Sequence, residues 1–371
     1  MGRRLNRSLH FRTLALLAIA LLFALSTARV WPQQSPQSAQ PPPASTPPQQ
    51  SASPPPLTPT QEPAPQQPAS VQEPPLKVTT NLVHLVVTVM DHRHEFITDL
   101  DKTDFKVLEN GQPQEIRFFG RETDLPLRIG VLLDTSNSIR QRLEFEKDAA
   151  VDFLDRVIRP DKDMAFLMTF DNDPQVIQDY TDDRALLTSA IRDQRAGGGT
   201  ALNDAIYLAS QKLIKPPLPK TNSDIRRVIV VISDGEDNLS DRALSEAIDA
   251  SIRAESVVFT ISTNTDWIAV DNPEKPHKYN LDPGDKILQQ FANQTGGQAF
   301  FPYSTDDLNE SFLDIGTELR SQYFIAYSPA TPPDGQYRTI EVQTNRKGLI
   351  VRTRKGYYAV APESGPTAQA R

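Results

Sequence analysis

The sequence predicts an α/β fold, a mostly parallel central sheet with helices on both faces, joined to a small β-subdomain built from the two flanks of the folded region. Three observations predict it. From Arg128 onward, short apolar runs alternate with amphipathic stretches of helical period. Val228–Ile232 is continuously apolar and β-branched, as a strand covered on both faces must be. Outside the stretch Leu127–Arg320 the pattern changes to period-two alternation broken by Gly, Pro and Asn turns.

In chain order, Val78–Met90 alternates apolar and polar residues and turns at Asp91-His92-Arg93-His94. Phe105–Leu108 and Glu115–Phe119 read as the arms of a hairpin whose turn is Glu109-Asn110-Gly111, since Asn-Gly favours the turn that matches strand twist. Ile129–Leu133 is a buried strand, followed by a helix through Leu143, Ala150, Phe153, Leu154 and Val157. Met164–Phe170 is the next strand, and Val176–Tyr180 reads as an antiparallel edge strand. Asp183–Arg192 and Leu202–Ile214 are helical, Val228–Ile232 is the central parallel strand, and a helix at Leu244–Arg253 leads into strand Val257–Ser262. Helices are expected at Pro283–Gln294 and Asp306–Leu319, with a short strand Ala299–Phe301 between them. Tyr323–Tyr327, Arg338–Gln343, Leu349–Thr353 and Tyr357-Tyr358 are short strands between Pro/Gly turns. Each flank has roughly 40 residues, too few to bury a core alone. One joint β-subdomain is the simplest solution, and packing onto the α/β core is its rival.

The chain has 371 residues, and half of its 32 prolines fall in Val30–Leu76. The expected organisation is a signal peptide at 1–28, a Pro/Gln/Ser-rich linker at 29–76, an N-terminal β flank at 77–120, the α/β domain at 121–322, a C-terminal β flank at 323–360 and a tail at 361–371. Arg3, Arg4, Arg7 and Arg12 form a positive n-region, Leu14–Leu25 is uninterrupted apolar sequence, and Ser26-Thr27-Ala28 supplies small residues for cleavage. That apolar run rises only about 18 Å as a helix, short of the ~30 Å hydrocarbon core, so cleavage is favoured over retention as an anchor. The expected location is periplasmic, cell-surface or secreted, with membrane attachment only through an uncleaved signal. The linker composition favours extended polyproline II, a spacer on the order of 100 Å.

Composition excludes several classes. With no cysteine there are no disulfides, thiolate zinc sites, iron–sulfur clusters or cysteine nucleophiles. A net charge of −8 leaves no basic excess for nucleic acid. His92 and His94 lie in a polar turn without a third ligand, and no Ser/His/Asp arrangement stands out around His84 or His277.

In an open parallel sheet, ligands bind outside the carboxyl ends of the strands. Three loops at that edge carry oxygen donors: Asp134-Thr135-Ser136-Asn137-Ser138, Gly197-Gly198-Gly199-Thr200 and Ser233-Asp234-Gly235. The D-x-S-x-S spacing lets Asp134, Ser136 and Ser138 converge from one turn. Two carboxylates and three hydroxyls suit Mg²⁺, Mn²⁺ or Ca²⁺ and suit zinc poorly. Asp134 and Asp234 just match a divalent charge, so the ion stays electrophilic and keeps a position for an incoming carboxylate or water. A dehalogenase-type nucleophile at Asp134 would need a second Asp where Ser136 stands, and the Gly-rich loop lacks the G-x-x-x-x-G-K pattern.

Together these loops resemble the von Willebrand factor A family and its metal-ion-dependent adhesion site. By motif match the ligands would be Asp134, Ser136, Ser138, Thr200 and Asp234, and none departs from the pattern. The resemblance covers about Leu127–Arg320 and implies the family's fold. The flanks, with Asp104-Phe105, Glu109-Asn110-Gly111 and Arg354-Lys355-Gly356-Tyr357-Tyr358, resemble secreted, acidobacterial-type members of the family.

The expected function is an exported, non-enzymatic, adhesion-type module that captures the Glu or Asp side chain of a partner protein through the divalent ion. The alternative is a structural component of an extracytoplasmic assembly in which the ion only rigidifies a permanent contact. A metal-dependent hydrolase would need Glu236 or Asp237 as its base. Asp171-Asn172-Asp173 is expected to be a turn between strands, and a place near the site is the alternative reading. The polar insertion Thr263–Pro283, with Trp267, His277 and Tyr279, is the expected source of ligand selectivity.

Overall fold

The computed structural model describes residues 82–121, 125–219, 224–264, 281–302 and 305–360. All of them belong to one compact unit, Pro74–Arg371. The signal-like segment, the proline-rich stretch, most of the 263–283 insertion and the C-terminal tail lie outside the described residues.

The N-terminal flank contributes β1 (Val83–Met90), β2 (Phe105–Glu109), β3 (Gln112–Gln114) and β4 (Ile116–Arg121). The α/β part begins with β5 (Leu127–Asp134) and α1 (Leu143–Val157), then β6 (Met164–Phe170), β7 (Pro174–Thr181), α2 (Arg184–Arg192) and α3 (Leu202–Ile214). It continues through β8 (Arg226–Ser233), α4 (Leu244–Arg253), β9 (Ser256–Ser262), α5 (Pro283–Thr295), β10 (Ala299–Phe300) and α6 (Thr305–Glu318). The C-terminal flank supplies β11 (Tyr323–Tyr327), β12 (Tyr337–Thr344), β13 (Ile350–Arg352) and β14 (Gly356–Tyr358). The predicted elements of the α/β part are all present, with ends shifted by a few residues.

The central sheet has the order β10-β9-β8-β5-β6-β7. Its pairs are parallel except β6 with β7, the expected antiparallel edge. All eight residues of β5 are buried because both faces are covered. Leu127, Ile129, Val131 and Leu133 pack toward α1, α2 and α6, while Leu132 shares a second core with α3, α4 and α5. Gly130 interrupts β5 for a packing reason, since a Cβ there would stand 2.5 Å from the Phe166 ring. The chain enters the sheet at β5, moves one way to β6 and β7, then returns to the other side of β5 with β8. This reversal is the switch point of an open sheet, where strand ends leave a crevice.

The flanks form two four-stranded sheets, β13-β1-β11-β4 and β14-β12-β2-β3. Each mixes strands from both ends of the chain. Val83, Leu85, Val87 and Val89 meet Phe105, Val107, Tyr323, Ile325, Ile340 and Val342 in one shared core. The joint β-subdomain is therefore present, and it also packs onto the α/β part. Thr88 Oγ1 donates to Glu318 Oε1 at 2.7 Å, and the Lys355 amide donates to the Gln294 carbonyl at 3.0 Å.

One expectation is corrected. Phe105–Glu109 forms its hairpin with Gln112–Gln114, not with Glu115–Phe119. Asn110 and Gly111 both have positive φ, 48° and 76°, so the turn itself is the predicted one. A two-residue turn places the return strand immediately at Gln112, and the apolar Ile116–Arg121 goes on to pair with β11 in the other sheet.

Candidate metal centre

Asp134 ends β5 and Asp234 follows β8, so the switch point places the two carboxylates on adjacent strand ends. Asp134 is fully buried and its two oxygens are separately held. Oδ1 accepts the Ser136 amide at 2.8 Å, and Oδ2 accepts the Ser233 hydroxyl at 2.7 Å. The first bond is the Asx turn that folds D-x-S back on itself. Asp234 accepts the Glu236 amide on Oδ1 at 3.0 Å and the Ser138 hydroxyl on Oδ2 at 2.5 Å. Ser136 Oγ lies 2.9 Å from Ser138 Oγ. Because Ser138 spends its proton on Asp234, Ser136 is the donor in that pair. A continuous chain thus runs from Asp134 through Ser136 and Ser138 to Asp234, and it reaches the surface at Ser138, which is exposed.

Thr200 is buried at the same edge and is tied to the site through its backbone. Its amide donates to Asn238 Oδ1 at 3.0 Å, and its carbonyl accepts the amides of Asn238 and Leu239, each at 3.0 Å. The glycine loop before it bridges to the first loop: the Gly197 amide donates to the Thr135 carbonyl at 2.7 Å, and the Asn137 amide to the Gly198 carbonyl at 3.1 Å. Asn172 supports this loop by accepting the Gly199 amide at 3.0 Å, so the Asp171-Asn172-Asp173 turn does border the site.

Hydrogen bonds therefore join four of the five motif residues, and Thr200 stands beside them on a loop fixed from both sides. Sequence reasoning named Ser233 in the third loop and Asn172 in a turn without assigning either a supporting role, and it did not single out Asn238. Ser233 immediately precedes Asp234 and points to the same strand end, which was a readable signal. The amides of Asn172 and Asn238 act across loops, and no local pattern announces them.

Electrostatics favour a cation. Burial pushes the Asp134 carboxyl up to about 6; the bonds from Ser233 and Ser136 oppose this, and the nearby charge of Asp234 adds to it. Two carboxylates with low solvent access and only neutral hydroxyl and amide donors around them repel each other until a positive charge stands between them. The donor set is all oxygen, as a hard divalent ion requires. No group of three or more His, Cys, Asp or Glu side chains converges as a metal cage among the described residues. A site here must therefore draw on hydroxyls, and Ser136, Ser138 and Thr200 are the ones at hand.

Asp237 is occupied structurally: it accepts the Asn203 amide at 2.8 Å at the start of α3 and the Ser240 amide at 3.1 Å. Glu236 is exposed. His92 and His94 lie at the exposed turn after β1. Trp267, His277 and Tyr279 lie outside the described residues.

Residues 129–236, the segment from β5 to just beyond Asp234, match the von Willebrand factor type A domain. The α/β domain belongs to this family. Among solved structures, a von Willebrand factor type A protein from Catenulispora acidiphila is 14% identical over 70% of this chain and 74% of its own, with a TM-score of 0.43. BatB from Bacteroides thetaiotaomicron is 21% identical over 53% of this chain and 100% of its own, with a TM-score of 0.40. Proximal thread matrix protein 1 from the mussel byssus, solved with a zinc-occupied MIDAS motif, is 16% identical over 57% of this chain and 49% of its own, with a TM-score of 0.41. None of the curated proteins matches the chain. No helix among the described residues of this A domain or its flanks is long and apolar enough to cross a membrane.

Proposed function

We propose that this protein is an exported, non-enzymatic binding module whose A domain holds a divalent ion, Mg²⁺ or else Mn²⁺ or Ca²⁺, on Asp134, Ser136, Ser138, Thr200 and Asp234. The ion captures a Glu or Asp side chain of a partner protein. The observation that carries this reading is the hydrogen-bonded chain that joins buried Asp134 to buried Asp234 through Ser136 and Ser138, and that meets solvent at exposed Ser138, where an incoming ligand can reach it. Two carboxylates neutralise the ion and the hydroxyls add no charge, so the ion retains attraction for one more anion. That anion is the partner's carboxylate, with water in its place otherwise. In this reading the proline-rich segment spaces the domain from the surface to which export delivers it.

The residues of the chain do three things in this function. Ser233 and the Ser136 amide keep the Asp134 carboxylate oriented. Ser138 and the Glu236 amide do the same for Asp234. The loop contacts of Asn172 and Asn238 hold Thr200 at the rim.

Calorimetric titration of the protein with Mg²⁺ and Mn²⁺, wild type against Asp134→Ala, tests the metal. Binding in the wild type and its loss in a folded Asp134→Ala variant are the expected results. Titration with a short acidic peptide, with the ion and then with excess chelator, tests the ligand. A peptide that binds equally well in chelator would sink the carboxylate-capture reading.

A further inference from the structure

A third carboxylate lies behind the two described above. Glu146 sits in the first turns of α1, the helix that follows the D-x-S-x-S loop, and faces the sheet rather than solvent. It is only 2% exposed, and both of its carboxylate oxygens are buried without a hydrogen-bond partner. Burying an ionised carboxylate without donors costs several kcal/mol, so proteins rarely leave one in this state. The neighbouring cations do not resolve it. Lys147 is turned the other way, donating to Glu144 at 2.8 Å and to the Arg192 carbonyl at 3.1 Å. Arg142, one turn earlier, attracts the Glu146 carboxylate through space, but its guanidinium makes no hydrogen bond to it.

The fold relates Glu146 to the motif: α1 follows the D-x-S-x-S loop, and its buried residues share one core with β5, the strand that ends in Asp134. After burial itself, Asp134 is the largest influence, and Asp234 acts in the same direction; both push the carboxyl well above its ordinary range, against Arg142. Two motif carboxylates and Glu146 therefore share one field with no cationic side chain bonded to any of the three. A divalent ion at the motif would answer all of them at once. Glu146 does not converge with the other two as a direct ligand cage. The role that leaves open is one layer further out, where an acidic group typically orients the water on an ion or the residues that bind it.

We infer that Glu146 is the outer carboxylate of the cation site, accepting hydrogen bonds from water held by the ion and tightening its retention. The inference rests on the metal-binding reading proposed above. It also assigns the buried stripe of α1 a second role, since the same helix face that fills the core delivers this charge to the ion.

The test is Mn²⁺ titration by calorimetry, with thermal melts by circular dichroism in Mn²⁺ and in chelator, on the full chain as wild type, Glu146→Gln, Glu146→Met and Asp134→Ala. Expected for Glu146→Gln is a Mn²⁺ Kd weakened by about 10–100-fold, the range typical of outer-layer partners. Its melting temperature in chelator should equal or exceed that of wild type, because an unpartnered buried charge is gone, and its gain on adding Mn²⁺ should shrink. Glu146→Met should behave alike. Unchanged Mn²⁺ affinity in both Glu146 variants, with affinity lost in Asp134→Ala, would overturn this inference alone. Absence of Mn²⁺ binding in the wild type would overturn it together with the metal reading. Failure of both Glu146 variants to fold even in Mn²⁺ would overturn it in favour of a purely structural role.

Discussion

Gly235 shows how tightly one residue can set the site. Its φ is +76°, and a Cβ there would stand 2.3 Å from the Gly284 carbonyl oxygen at the start of α5. The turn after Asp234 is thus pressed against the helix end, and Asn264 closes the gap by donating to the Asp234 carbonyl at 2.6 Å and to buried Asp285 at 2.9 Å. Gly235→Ala meets both a left-handed backbone and a backbone overlap, so it should destabilise the protein by about 1–3 kcal/mol or more. Urea denaturation measures that loss, and calorimetry on the folded variant should find weaker Mn²⁺ binding because Asp234 must shift. Most of this site was legible in the sequence, because Asp134, Ser136 and Ser138 lie within one turn and the other two residues follow apolar or glycine-rich signals. Glu146 left a signal as well. It occupies the stripe Leu143, Glu146, Ala150, Phe153, Val157, where spacing of three and four residues demands apolar side chains. The spacing alone marks the one charge in that stripe as a buried carboxylate.

At the scale of elements, the end of the sheet away from the metal is pinned by Asp163. It precedes β6, and its Oδ1 accepts the Leu127 amide of β5 at 2.8 Å. Arg159, just after α1, donates its backbone amide at 3.0 Å and its Nε at 2.7 Å to Oδ2. Arg320, just after α6, reaches Oδ2 at 3.5 Å. One carboxylate therefore joins two strands to the ends of two helices. Burial raises the Asp163 carboxyl, but the bonds from Arg159 and Leu127 outweigh it and hold the group below the ordinary carboxylate range. A lowered folded value means that this stabilisation is complete above about pH 4 and is lost as the pH falls through the folded value. Asp163→Asn should cost about 3–5 kcal/mol at neutral pH, the usual penalty for removing one partner of a buried pair. Denaturant melts from pH 7 to pH 3 should also show a flatter acid limb in the variant; identical slopes would refute the assignment. Arg159 lies only four residues before Asp163, but nothing in Asp161-Lys162-Asp163 announces the wider role, since Leu127 and Arg320 come from distant parts of the chain. The same limit explains the hairpin. Asn110-Gly111 is a local signal and was readable, whereas the pairing of Ile116–Arg121 with Tyr323–Tyr327 is chosen by contacts across some 200 residues of sequence.

For the whole molecule, the question is whether the A domain and the two flanking sheets behave as one cooperative body. Glu109 is the residue that decides it within the sandwich. It ends β2, is buried, and accepts the Tyr327 hydroxyl of β11 at 2.7 Å and the Tyr357 hydroxyl of β14 at 3.0 Å. Arg338 of β12 pairs with it at 3.1 Å, and both side chains are about 4% exposed. Four strands from opposite ends of the chain thus meet on one carboxylate. The sandwich in turn is bonded to α6, where Glu318 accepts Thr88 of β1 and pairs with Arg352 of β13, and Arg352 also donates to Gln298 at 2.5 Å. These links run through buried groups, so loosening the sandwich strips partners from the helix that covers the A-domain core. Glu109→Ala leaves buried Arg338 with only the exposed Asp334 as counter-charge and strips the Tyr327 and Tyr357 hydroxyls of their acceptor, so it should cost about 3–5 kcal/mol. For a body of this size that corresponds to a fall in melting temperature of about 10 °C. The melt should remain a single transition when followed by far-ultraviolet circular dichroism and by tyrosine fluorescence, because both parts unfold together. Mn²⁺ affinity of the folded variant should match wild type, since Glu109 touches none of the motif loops. Two separate transitions, with only the earlier one shifted by the substitution, would show that the sandwich unfolds independently and serves the A domain as an appended module.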